Sequence, residues 1–390
     1  MALAAGAALP FSDDILAEIL IRLPALEDLG RACASCPAFR RVITGRGFLR
    51  LLHTLHLPSL LGFHIFSAQF HPVEPPYPAA RAARAVADAA DFGFLFLPGP
   101  GFWMVRDACG GRFVLHRDEG TGPAFNTIAT CDPLFRRYVL LPPIPDDLAA
   151  AVECDVFFAP CGEREAAVAV AGALESFRVI WMAQCRTKLV AFIFSSASRQ
   201  WRAIASPSWG YLNPGMAPVT ERSPLHWLSY AYGCFYWLCS RLPYRSNLIV
   251  LDMGRMEFYR VRHPSGYMLE ECAMVELGES RHGLFNFMFA SRNYTESSVL
   301  QLFSSNRPNH GESASEWVLE NRVLLSPKYK LNMLGVADGK LLLHETWFGC
   351  ISLDFKTSQL QWVRGMIQTG SCTMLALYTG YPPSLSLPTI

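Results

Sequence analysis

The feature that most constrains this chain is a composite that keeps returning: an aliphatic run, a polar turn, then an aromatic residue that starts a second run. It occurs as Ile128-Ala129-Thr130-Cys131, Asp132-Pro133 and Tyr138-Val139-Leu140-Leu141, and again as Leu189 to Phe194, Ser195-Ser196-Ala197-Ser198 and Trp201. Further copies are Ile249 to Asp252 with Phe258-Tyr259, Val299 to Phe303 with Trp317-Val318-Leu319, and Ile351 to Asp354 with Trp362-Val363. The marker aromatics Tyr138, Trp201, Phe258, Trp317 and Trp362 fall 63, 57, 59 and 45 residues apart. Apolar runs bounded by turn residues are the pattern of short strands. Strand groups repeated at this interval point to β-propeller blades, none of which buries its faces until neighbours stack on it. Five or six blades fit the available length. On this reading the aromatics pack blades together and need no ligand.

A second element often precedes the first, a glycine opening an apolar strand: Gly111 before Arg112-Phe113-Val114-Leu115, Gly233 before Cys234 to Leu238, and Gly339 before Lys340 to Leu343. Asp338-Gly339 is a good hairpin turn. A closed ring joins its ends by pairing strands from both ends of the domain. The last apolar run, Thr373 to Tyr378, is therefore expected to pair near Leu60 to Phe66. The Pro-rich step His71 to Pro78 leads into an Ala/Arg segment, Ala79 to Ala90, with good helix propensity.

Residues 9 to 48 read differently. Ser12 is a good N-cap, Asp13 and Asp14 sit where a helix dipole favours negative charge, and Ile15, Leu16, Ile19, Leu20 and Leu23 recur at helical spacing until Pro24. A second helix is expected from Glu27 to about Ser35, and Pro37 opens a third carrying Phe39, Val42 and Ile43. So small a unit has a thin core and should bury part of its apolar surface against another protein. The same stripe would also serve as the inward face of a helical cap on the larger domain.

This head resembles an F-box. The residues that carry the resemblance are Leu9-Pro10, Asp14-Ile15-Leu16 through Ile19-Leu20, Arg22-Leu23-Pro24, Asp28-Leu29, and then Cys36, Phe39, Arg40, Arg41, Val42 and Ile43. The family usually has tryptophan where Phe39 stands, and Pro37 interrupts a region that is more often basic. The repeating part is similar to the F-box-associated propeller of large plant F-box families, through Ser195-Ser196 to Trp201 and Tyr232-Gly233 to Leu238. The expected organisation is thus mainly β: a three-helix F-box at 9–48, followed by a β-propeller-like domain at 49–390. The resemblance implies docking on the Skp-family adaptor of a cullin-RING ubiquitin ligase, with the propeller holding a target protein. Leu9, Pro10, Ile15, Leu16, Leu20, Pro24 and Leu29 would include the adaptor-facing surface.

Composition bears on what else the chain could do. The 51% of apolar residues excludes wholesale disorder, and the balance of 34 basic against 33 acidic side chains argues against a nucleic-acid partner. No apolar run reaches the length of a membrane-spanning helix. Met1 to Leu9 has no basic residue before its apolar stretch and does not read as a secretory signal; twelve scattered cysteines suit reduced thiols in the cytoplasm or nucleus. No metal or cofactor is expected. Cys33-Ala34-Ser35-Cys36 has no second pair, and Gly99-Pro100-Gly101 lacks the third glycine of a phosphate loop. No nucleophile elbow, Walker-type loop or zinc-protease motif occurs, and Asp118-Glu119, Asp146-Asp147 and Glu270-Glu271 lie in polar turns. The expected role is a non-catalytic receptor. The alternative is a propeller hydrolase, a glycosidase or esterase, assembling its acids from distant blades. For target binding, the long polar segment Ser304 to Glu316 offers Arg307 and His310, with Trp209, Tyr211, Trp347 and Phe348 as further candidates.

Overall fold

The computed structural model describes residues 11–23, 26–56, 58–65, 69–117, 127–145, 151–160, 176–219, 224–239, 247–262, 271–276, 281–289, 298–306, 317–325, 331–345, 349–354, 357–364, 375–388 and 390. Four helices come first: α1 Asp13–Leu20, α2 Leu26–Ser35, α3 Pro37–Ile43 and α4 Arg46–Leu55. Ser12 caps α1 as its sequence suggests, accepting from the Ile15 amide, and Pro37 opens α3. The fourth helix is an addition to the three expected. Phe48, Leu49 and Leu52 continue the helical spacing and join the core made by Leu16, Leu20, Leu29, Cys33, Val42 and Ile43, so the head runs on to Leu55 rather than stopping at 48.

Next come β1 Ser59–Ile65, β2 Gln69–Pro72 and α5 Ala80–Ala89. Five four-stranded sheets follow, each a meander of consecutive antiparallel strands. Blade one is β3 Trp103–Cys109, β4 Arg112–Arg117, β5 Ile128–Asp132 and β6 Arg137–Leu140. Blade two is β7 Ala151–Ala159, β8 Arg178–Cys185, β9 Leu189–Ser195 and β10 Gln200–Ala203, followed by the short α6 Trp209–Leu212. Blade three is β11 Leu225–Ala231, β12 Cys234–Cys239, β13 Asn247–Asp252 and β14 Glu257–Arg262. Blade four is β15 Glu271–Glu276, β16 Arg281–Phe289, β17 Ser298–Asn306 and β18 Val318–Leu325. Blade five is β19 Leu331–Ala337, β20 Lys340–Glu345, β21 Gly349–Asp354 and β22 Leu360–Arg364. The last strand, β23 Leu375–Gly380, returns to pair with β1 in a three-stranded sheet of order β2-β1-β23.

First strands of successive blades lie together: β3 on β7, β11 on β15, β15 on β19, and β23 on both β19 and β3. The ring is a β-propeller. It has five four-stranded blades, and the sixth position is filled by the three-stranded sheet that both ends of the domain build together. The expected closure is the one observed, with Phe63 opposite Leu377 and His64 opposite Ala376.

Strand alternation explains why blades stack. In β12, Phe235 and Trp237 enter the core shared with blade two, while Cys234, Tyr236 and Leu238 enter the one shared with blade four. In β9, Ala191 and Ile193 face one neighbour and Val190, Phe192 and Phe194 the other. Side chains alternate across a strand, so a continuous apolar run is what a strand buried on both faces requires. The hairpins agree: Gly110-Gly111, Tyr232-Gly233 and Asp338-Gly339 all have positive φ at both turn residues, the conformation that matches strand twist. The marker aromatics sit at or just before fourth strands. The Trp201 indole N–H donates to the Pro142 carbonyl at 2.7 Å, and that of Trp317 to the Arg262 carbonyl at 2.9 Å. Each thereby ties its outer strand to the end of the preceding blade.

Head and ring are joined a second time. After β23 the chain runs back to the helices, where Leu385 is fully buried in the head core. The Tyr381 hydroxyl donates to the His56 carbonyl at 2.6 Å, and its ring stacks on His53 at 3.9 Å. His53 Nε2 lies 2.9 Å from the Leu385 carbonyl oxygen.

Candidate functional site

Two surfaces are candidates, and the first is on the head. Helix α1 is aliphatic on two sides. Leu16 and Leu20 turn inward, whereas Ile15 and Ile19 are 47% and 54% exposed; Phe11, just before the Ser12 cap, is 51% exposed as well. Positions i and i+4 share one helix face, so Ile15 and Ile19 make a solvent-facing apolar stripe, with Phe11 lying outside the helix just before its cap. The structure corrects the sequence expectation here: Leu16, Leu20 and Leu29 belong to the head's own core, because α2 to α4 and Leu385 close over them. Of the adaptor-facing candidates, Ile15 stays outside; Leu9, Pro10 and Pro24 lie outside the described residues. Beside the stripe, Arg41 bonds both oxygens of Asp13, at 2.6 and 3.1 Å, and that hydrogen bond holds the Asp13 carboxyl below its ordinary range.

The second candidate is the middle of the ring. The inner strands surround a channel of about 630 Å³, within the range of sites for small molecules or peptide side chains. Four of these strands change register where they line it: β3 between Val105 and Asp107, β7 between Ala151 and Glu153, β11 between His226 and Ser229, and β19 between Met333 and Gly335. A bulge re-aims side chains and breaks the two-residue period. It is why Arg106 and Asp107, neighbours in sequence, both line the channel. Gly335 sits at such a bulge with φ +138°, and a Cβ there would meet Leu377 at 3.0 Å.

Charge gathers on the β3–β7 sector, in Arg106, Asp107, Glu153 and Asp155. Both oxygens of Asp107 accept backbone N–H groups at 2.8 Å, from Ala108 and Phe158. Asp155 accepts from the Val156 amide at 2.8 Å and lies 3.9 Å from Arg106 Nε, while Arg106 also donates to the Cys154 carbonyl. Desolvation outweighs these partners. It pushes the Asp107 carboxyl up to about 7, with the nearby Asp155 adding to the rise, and pushes Asp155 up to about 6 against the pull of Arg106. On β19 and β23 the lining is mostly apolar, with Met333, Leu334, Val336, Ala376 and Leu377 beside Thr379. Among the described residues, no group of three or more His, Cys, Asp or Glu side chains could hold a metal ion. None of the described helices is long and apolar enough to cross a membrane.

The target-binding candidates fare unevenly. Trp209 is buried, its indole N–H bonded to the Cys185 carbonyl at 2.8 Å, so it packs α6 between blades two and three and is no recognition residue. Tyr211, on the same helical turn, is 70% exposed. Arg307, His310, Trp347 and Phe348 lie outside the described residues. The polar segment begins later than expected, because Ser304 to Asn306 still belong to β17, with the Ser304 hydroxyl bonded to Glu320 at 2.5 Å. The channel charges were missed by sequence reasoning. Their one signal was charge in mid-strand, in Trp103–Cys109 and Ala151–Ala159.

No family model matches the chain, and no curated protein matches it either. Among solved structures it is similar to an oligogalacturonate lyase in complex with manganese (8% identity, 69% of this chain and 67% of that one, TM-score 0.41). It is also similar to YCF48 bound to D1 peptide (9%, 68% and 68%, 0.36) and to the β-propeller domain of the Trilobed protease from Pyrococcus furiosus (8%, 69% and 85%, 0.33). At these scores the propeller assignment stands on the strand order described above.

Proposed function

We propose that this protein is a substrate receptor of a cullin-RING ubiquitin ligase, its helical head docking on the Skp-family adaptor and its propeller binding a target protein. The observation that carries the reading is the stripe of Ile15 and Ile19 on α1, with Phe11 just ahead of the helix: large apolar side chains left in solvent by a head whose own core is already filled. Exposed apolar groups aligned on one helix face are what a partner protein covers. The receptor does no bond chemistry; it raises the effective concentration of target lysines beside the charged conjugating enzyme. The second attachment of the head through Leu385 supports this role, since a target held on the ring then keeps a fixed offset from the adaptor.

The test is a pair of variants in the full chain. Ile15→Asp with Ile19→Asp puts two charges into the docking face and should weaken adaptor binding more than tenfold, a loss above about 1.4 kcal/mol, with the protein still folded. Leu16→Asp should instead unfold the head. Unchanged adaptor affinity in the folded double variant would overturn the reading.

The hydrolase reading draws on the raised carboxyls Asp107 and Asp155 in the channel. It predicts turnover of aryl glycosides or aryl esters by the full chain, abolished in Asp155→Asn. The receptor reading predicts none.

A further inference from the structure

We infer that the ring channel is where the target is held, and that what it takes is a lysine or arginine side chain carried beside an aliphatic one in an extended segment of the target. The inference rests on the receptor reading and assigns it a recognition site and a ligand chemistry.

Charge is the first argument. The acidic and basic residues lining the channel are Asp107, Glu153, Asp155, Arg106 and His226, and Arg106 is already engaged by Asp155 and the Cys154 carbonyl. An incoming cation would meet Asp107 and Glu153 without displacing a positive side chain. A phosphorylated or acidic segment would meet like charge and be rejected. Desolvation leaves Asp107 and Asp155 partly protonated near neutral pH, and a cation brought beside them favours their ionised form. A cation seated there gains from both once they ionise.

Shape and polarity supply the second argument. Charge occupies one sector of the wall; in a ring of inner strands ordered β3, β7, β11, β15, β19 and β23, β19 lies across from β7. It presents Met333, Leu334 and Val336, and β23 adds Ala376 and Leu377. A simple inorganic cation would leave that face bare. A peptide with a basic residue next to an aliphatic one satisfies both, because in an extended chain successive side chains point to opposite sides. Tyr230 on β11, 43% exposed toward the channel, adds an aromatic face on which a guanidinium can rest.

The experiment is selection from a degenerate hexapeptide pool on the immobilised full-length protein, followed by sequencing of what is retained. Wild type should enrich lysine or arginine adjacent to leucine, isoleucine, valine or methionine by about tenfold, the ratio that corresponds to 1.4 kcal/mol. Glu153→Gln, which alters an exposed side chain, should lower that enrichment severalfold, and Leu377→Asn should remove the aliphatic preference while leaving the basic one. Melting temperatures of both variants establish that the ring is intact. Enrichment of acidic or phosphorylated residues, no enrichment, or equal enrichment by wild type and Glu153→Gln would each overturn the inference. Adaptor binding, measured on the same preparations, separates this failure from failure of the receptor reading.

Discussion

Asp107 and Asp155 bind a proton more tightly in the folded chain than in the unfolded one, because the channel wall desolvates them and pushes them up to about 7 and about 6 from a starting value of 3.8. The sign follows from linkage. Between about pH 4 and 7 the folded state holds protons that the unfolded state has released, so the stability these groups contribute is present at pH 4 and lost as pH rises through that window. Asparagine imitates the protonated acid and does not titrate. In urea denaturation at pH 4, 5.5, 7 and 8, wild type should therefore lose stability relative to Asp107→Asn as pH rises. A difference that stays flat across the series would show that the Asp107 carboxyl is unperturbed. The same scale separates Ile15 from Leu16, adjacent residues of nearly equal hydrophobicity, one half in solvent and the other in the core. Nothing in their chemistry distinguishes them; the position of α2 to α4 does.

At the level of elements, the outer strands are held by side chains as well as by their ladders. Trp201 and Trp317 donate to carbonyls 59 and 55 residues earlier, at the end of the preceding blade. Trp201→Phe and Trp317→Phe keep an aromatic ring and lose the donor, so each should cost about 1 kcal/mol for the hydrogen bond, plus some packing, in the denaturant midpoint. Additivity is expected, since the two tethers join different pairs of blades. The blade pattern was legible in sequence because strands buried on both faces must be continuously apolar, and because Gly111, Gly233 and Gly339 mark turns that need positive φ. Helices α1 to α3 were legible through Ser12, Pro37 and their apolar spacing. The channel was not. It is assembled from eight strands spread between Trp103 and Gly380, and the bulges in β3, β7, β11 and β19 break the alternation by which an inward side chain would be recognised.

For the whole molecule, two contacts made by residues 375–387 decide stability. Strand β23 completes the sixth position of the ring, and Leu385 completes the core of the head. These separate cleanly by truncation. A chain ended after Gly380 keeps β23 and should retain ring melting while its head becomes sensitive to protease. A chain lacking residues 372 to 390 should lose both, since it also opens the edge of β1. Leu385→Ala, which removes a fully buried side chain from the head, should destabilise that unit by about 2–4 kcal/mol. A truncated chain lacking β23 that melts with wild type would show the ring to be closed in some other way.

That tail contact also sets an order of events during synthesis. His53 and Leu385 are 332 positions apart, and at ordinary translation speeds the ribosome needs roughly 15 to 65 seconds to cover that distance. For most of that time the helices have an unfilled hole in their core, and the ring, though its blades can form one after another, has an open gap. Both defects are repaired by the same stretch of residues within a moment of each other. A transcript cut short anywhere before that stretch yields a product with neither a finished head nor a sealed ring, one that chaperones and proteases would recognise.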